Sequence, residues 1–125
     1  MKLNPDCIRG LLLVLEEQPR QINAPTVIKD PTLSDYSRAD VEYALEKLIE
    51  AGLVNGRTHV TKSCIVFTLD SISVTGHKFL DDIRSPKLWS KIKGTASDLG
   101  MTSIKSLIPI ATKVGFDFLS QHLTP

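Results

Sequence analysis

Between residues 37 and 84 a helical pattern ends in Glu50-Ala51-Gly52-Leu53-Val54, and the apolar spacing then changes from that of a helix to that of a strand. The helix before the break is specified at both ends. Ser37 suits the N-cap, Asp40 the N3 position, and Tyr36 with Val41 the hydrophobic staple. Val41, Ala44, Leu45, Leu48 and Ile49 follow the i, i+3, i+4, i+7, i+8 spacing of one buried face. Gly52 supplies a left-handed residue past the last turn, with apolar Leu53 after it. Beyond this point Ile65, Phe67 and Leu69 alternate with Cys64, Val66 and Thr68, so the first set is expected to face a core and the second to face away. Leu53-Val54 is expected to pair with this strand, leaving residues 55–63 as a basic loop. Thr75 then caps a second helix, with Val74 and Phe79 as its staple and Leu80 and Ile83 on its apolar side. Helix, strand, basic loop, strand, helix is the order of a winged helix-turn-helix. The expected class is therefore α+β, mostly helical: a winged helix-turn-helix with added C-terminal helices.

The flanking segments extend this reading. Asn4 before Pro5 and Asp6, with Leu3 and Ile8 at staple positions, starts a helix whose stripe is Ile8, Leu11, Leu12 and Leu15. It should fade by Gln18 to Arg20, because Pro19 disfavours helical geometry in the residue before it. The β-branched run Thr26-Val27-Ile28 suggests a short edge strand, and Asp30-Pro31-Thr32-Leu33 the entry to a short helix reaching about Tyr36. Ser85-Pro86 restarts a helix to about Leu99, placing Leu88, Trp89, Ile92 and Ala96 near one face. The last helix, residues 103–123, is apolar nearly all round, more than packing against one small domain needs. Two explanations compete: burial in a subunit interface, with Ile104, Leu107, Ile108, Ala111 and Phe118 as the self-association surface of a homodimer, and burial within its own domain. Residues 1–84 are read as the winged-helix domain and 85–125 as a C-terminal helical extension.

A chain of 125 residues can bury enough surface to fold without metal or disulfide. The two cysteines, Cys7 and Cys64, lie far apart in sequence with no CxxC, so both are expected to be buried thiols in a reducing cytoplasm. Leu11 to Leu15 is too short an apolar run for a secretory leader, and Lys105, Lys113, Asp117 and Pro109 interrupt the last helix too often for a membrane span. Lys and Arg total 15 against 14 Asp and Glu, so net charge gives no footprint for nucleic acid. Its distribution is more informative. The helix after Ser37 is acidic, whereas residues 56–63 carry Arg57, His59 and Lys62 with no acid.

Three stretches carry a family likeness: the opening Met-Lys-Leu-Asn-Pro-Asp-Cys-Ile-Arg, the Glu-Ala-Gly-Leu-Val helix end, and Val74-Thr75-Gly76-His77-Lys78-Phe79-Leu80-Asp81-Asp82-Ile83-Arg84 followed by Trp89. With them the chain resembles the bacterial and prophage domain-of-unknown-function family 2513. Members typically carry Leu-Thr-x-x-Gly-His-x-Phe-Leu-Asp-x-Ile-Arg, from which this chain departs by a shorter strand-to-helix connection. The resemblance implies a winged-helix-like fold and a mobile-element context, and it brings no catalytic residue.

The residues themselves point to no catalysis and no cofactor. There is no phosphate-binding glycine loop, no HExxH and no GxSxG, and His77 has no partner at metal-ligand spacing. Asp81 and Asp82 lie about 100° apart on a helix and cannot converge on one atom. The first function to expect is double-stranded DNA binding, with Arg38, Tyr43 and Lys47 on the helix and Arg57, His59 and Lys62 on the wing. Glu42 and Glu46 oppose it, since at a duplex surface each would meet phosphate. The alternative is a winged-helix protein-interaction module, such as a phage-borne inhibitor of a host protein.

Overall fold

The computed structural model of the chain describes residues 2–101 and 103–123. It is α+β and mostly helical. In order, the elements are α1 (Pro5–Glu16), α2 (Ala24–Ile28), a 3₁₀ turn (Pro31–Leu33), α3 (Arg38–Glu50), β1 (Val54–Val60), β2 (Ile65–Ile72), α4 (Val74–Ile83), α5 (Pro86–Asp98) and α6 (Ile104–Leu123). Contacts gather into two compact units, Met1–His77 and Lys78–Pro125, with the division inside α4.

In the first unit α1 packs on α3. The Asn4 side chain accepts from the Asp6 and Cys7 amides at 3.0 and 3.3 Å, which starts α1 where its free N–H groups need an acceptor. Cys7, Ile8, Leu11, Leu12, Val14 and Leu15 are buried along it. Ser37 Oγ accepts from the Asp40 amide at 3.1 Å and starts α3, which buries Val41, Ala44, Leu45 and Leu48 and leaves Ile49 half-buried. Gly52 ends α3 at φ +76°. Its amide donates to Ile49 O and that of Leu53 to Leu48 O, each at 3.0 Å, the pair of bonds that closes a helix through a left-handed residue.

Four expectations are corrected in this unit. Thr26-Val27-Ile28 is helical, because Asn23 accepts from the Thr26 amide and hydroxyl at 3.0 Å and Pro25 suits a first turn; cap chemistry outweighs β-branching, and Val27 is fully buried. The extended segment is instead Ile22, bridged antiparallel to Leu69. The helix expected from Pro31 to Tyr36 is only a 3₁₀ turn, closed by Asp30 accepting from the Thr32 amide and hydroxyl at 2.9 and 2.7 Å, bonds that hold the Asp30 carboxyl below its usual range. The basic loop is mostly strand: β1 runs to Val60, paired Val54↔Ile72 through Val60↔Ile65 with a bulge between Asn55 and Gly56, and only residues 61–64 turn the chain. Finally, Ser73 and not Thr75 caps α4. Its Oγ accepts from the Gly76 amide at 3.0 Å, and Val74, at 88% exposure, is no staple.

In the second unit α4 buries Phe79, Leu80 and Ile83. Ser85 caps α5, which buries Trp89, Ile92 and Ala96 and ends at Gly100 (φ +71°) through Met101 N to Ala96 O and Gly100 N to Ser97 O. Helix α6 packs on α5 and runs through Pro109 as one helix.

The cysteines differ. Cys7 has no exposed surface, but Cys64 sits exposed in the hairpin turn, so the expectation of two buried thiols is corrected for Cys64. Burial, helped by the Asp40 carboxylate, pushes the Cys7 thiol up from 9.0 to about 11. A disulfide reagent at pH 8 should therefore modify one thiol within seconds to minutes and the second only on unfolding, and peptide mapping should place the fast label on Cys64. The unfolded chain sheds the Cys7 proton before the folded chain does, so this group lowers stability progressively as pH rises from 9 toward 11.

Candidate nucleic-acid interface

The residues expected to meet DNA occupy two different electrostatic settings. On α3, Arg38 Nε lies 2.9 Å from Glu42 Oε1 and Lys47 Nζ 2.8 Å from Glu50 Oε2. Lys47 also stands 5.2 Å from the centre of the Tyr43 ring, and its hydrogen bond to Glu50 raises its pKa, so it stays charged and held. Exposed ion pairs of this kind contribute little to stability, so they do not lock the helix. They do cancel its cations. With Asp40 and Glu46 added, α3 carries four acids against two bases.

The hairpin is the opposite case. Arg57 and His59 lie two residues apart on β1, and register places Arg57 opposite Thr68 and His59 opposite Val66. Opposed residues in an antiparallel pair share a face, so these four side chains point to one side. All four are exposed, while Phe67 and Leu69 turn inward. Gly56, Arg57, His59, Thr68 and Asp70 line an open depression on the hairpin. Lys62 stands exposed in the turn. Among the described residues, neither Arg57 nor Lys62 has an ion-pair partner.

The structure thus brings Arg57, His59 and Lys62 onto one hairpin and leaves Arg38, Tyr43 and Lys47 compensated on α3. Reading by residue type missed Thr68 as a neighbour of Arg57, although the strand alternation had already placed it on the outward face. His77 is exposed and lines an open cleft with Glu16, Arg20 and Asp70. Among the described residues no three His, Cys, Asp or Glu side chains come together to hold a metal ion.

A family model described as hypothetical protein (DUF2513) matches residues 2–102, most of the chain. The chain belongs to the DUF2513 family. The match takes in both hairpin strands, α3 and α4, and stops before α6. No curated protein and no solved structure matches this DUF2513 chain.

Of the expected self-association residues, Ile104, Leu107 and Ala111 are buried within the single chain. Ile108 and Phe118 are half-buried. Among the described residues, the large apolar side chains that α6 leaves exposed are Phe116 and Leu119, at 67% and 56% exposure. Among the described residues, no helix is long and apolar enough to cross a membrane.

Proposed function

We propose that this DUF2513 protein is a cytoplasmic winged-helix DNA-binding protein, a transcriptional regulator of phage or prophage type, with the β1–β2 hairpin as its wing. The single observation that supports this reading most is that Arg57 and Lys62, neither held in an ion pair among the described residues, share one exposed hairpin with the His59 imidazole. Cations without acid partners can exchange their counterions for phosphate at little cost, whereas those of α3 would first leave Glu42 and Glu50. The order α1, bridge at Ile22, α2, α3, β1, β2 supports the winged-helix description. Titrating a fluorescein-labelled mixed-sequence duplex in a salt series tests the proposal. Binding that weakens steeply with salt is the expected result, and an anisotropy that stays flat at low salt would refute it.

A second reading, self-association, draws on Phe116 and Leu119, which lie three residues apart on the outer face of α6. The occupant of that face is taken to be a second copy of the chain. Sedimentation velocity should then show a dimer for the native protein and a monomer for Phe116→Asp, with unchanged circular dichroism. Native protein sedimenting as a monomer would dispose of this reading. A host protein bound through the acidic α3 face remains the competing occupation of the first unit, and Glu46→Lys should weaken such a complex while strengthening any contact with DNA.

A further inference from the structure

We infer that the β1–β2 hairpin reads base edges in the DNA major groove as a two-stranded ribbon, with α3 held out of the groove. This rests on the DNA-binding reading above and deepens it. The argument begins with width. The major groove, about 12 Å across, admits either an α-helix or a two-stranded ribbon, while the minor groove of undistorted B-DNA, about 6 Å across, admits two strands only when the duplex is bent and the groove opened. Spacing comes next. Residues two apart on a strand are separated by about 6.7 Å along it, close to two base-pair rises of 3.4 Å, so Arg57 and His59 on one strand and Val66 and Thr68 on the other can address neighbouring steps.

The chemistry of the four side chains suits that surface. An arginine guanidinium matches guanine O6 and N7 bidentately, threonine can serve either base of a pair, and an apolar branched side chain such as Val66 fits the thymine methyl. The His59 imidazole can donate to a purine acceptor. Lys62 in the turn is left for phosphate. Asp70, in the same depression as Arg57, is placed to accept from a cytosine amino group. On α3, by contrast, the groove would meet Glu42, Glu46 and Glu50, spaced one turn apart, with the helix's only cations paired to two of them.

The test is selection from a randomised 20-base-pair duplex library with the full chain, with Arg57→Ala, and with Tyr43→Ala as the α3 control, followed by dimethyl sulfate probing of the selected duplex. Native protein should enrich a motif containing guanine and protect guanine N7. Arg57→Ala should bind that duplex about 10- to 100-fold more weakly and lose preference at one guanine. Tyr43→Ala should select the same motif with affinity within about twofold. Uniform weakening of all duplexes by Arg57→Ala, protection confined to adenine N3 in the minor groove, or loss of the motif in Tyr43→Ala would each overturn the ribbon reading. So would binding to mixed-sequence duplex with no enrichment, which leaves DNA binding itself standing. No binding to any duplex at low salt would instead refute the functional reading on which this one rests.

Discussion

Gly76→Val should lower the stability of the fold by about 3 kcal/mol or more, shifting the thermal midpoint down by roughly 10 to 20 °C in circular dichroism melts. The cause is a close approach of backbones. A Cβ on Gly76 would lie 2.0 Å from the Leu53 carbonyl oxygen and 2.6 Å from Ile72 Cγ2. The first obstacle is main chain and cannot rotate away. It is also fixed by hydrogen bonds: Leu53 O accepts from the Ser73 amide at 2.9 Å, and Ser73 Oγ donates to the neighbouring Gly52 carbonyl. The first turn of α4 is thus laid directly on the end of α3, and only a residue without a side chain fits between them. Any non-glycine residue gains about 1 kcal/mol of helix propensity or less at such a site, which is too little to offset the overlap. Gly94→Ala is the matched control. It lies in the interior of α5 with nothing within 4 Å of the added Cβ, so it should raise stability by about 0.5 to 1 kcal/mol. A Gly76→Val protein that melts like the native one would mean that α4 does not cross Leu53 as described.

Arg57→Glu combined with Lys62→Glu should weaken binding to duplex DNA on the order of 100-fold at low salt and make the logarithmic salt dependence shallower by about one to two. Two attractive charges become repulsive on a hairpin that already carries the Asp70 carboxylate in the same depression as Arg57. Both side chains are exposed and neither has an ion-pair partner among the described residues, so the melting temperature should stay within a few degrees of native. The same reversal on α3, Arg38→Glu with Lys47→Glu, should cost less than about tenfold, because Glu42 and Glu50 already neutralise those cations. Equal losses from the two pairs would place α3 and the hairpin at the DNA together.

What could be read from sequence divides by range of interaction. Asn4, Ser37 and Gly52 act on their own helix ends, so α1 and α3 were legible to within a residue or two. At Thr26-Val27-Ile28 two local signals conflicted, and the Asn23 cap prevailed over β-branching. The extent of the hairpin was not legible, because Arg57 and His59 look like loop residues until they are matched with Thr68 and Val66, far along the chain. Ser73 was passed over for Thr75 although its cap bond from the Gly76 amide is local; what sets it apart is that its hydroxyl also donates to the Gly52 carbonyl, a long-range partner. The C-terminal helix was apolar on too many sides for periodicity to decide its packing. The fold places Ile104, Leu107, Ile110 and Ala111 inside and leaves Phe116 and Leu119 exposed. For the candidate site, residue type identified Arg57, His59 and Lys62, but the pairing of Arg38 and Lys47 with acids of their own helix emerged only from geometry.

The proposal that the hairpin is the DNA-contacting element is tested most directly by amide chemical-shift mapping of the full chain titrated with a mixed-sequence duplex at low salt. The amides of β1, the turn and β2, centred on Arg57, His59, Lys62 and Thr68, should move most, with those of α3 from Arg38 to Glu50 little changed. Perturbations concentrated on α3, or a spectrum unchanged at saturating duplex, would contradict the account.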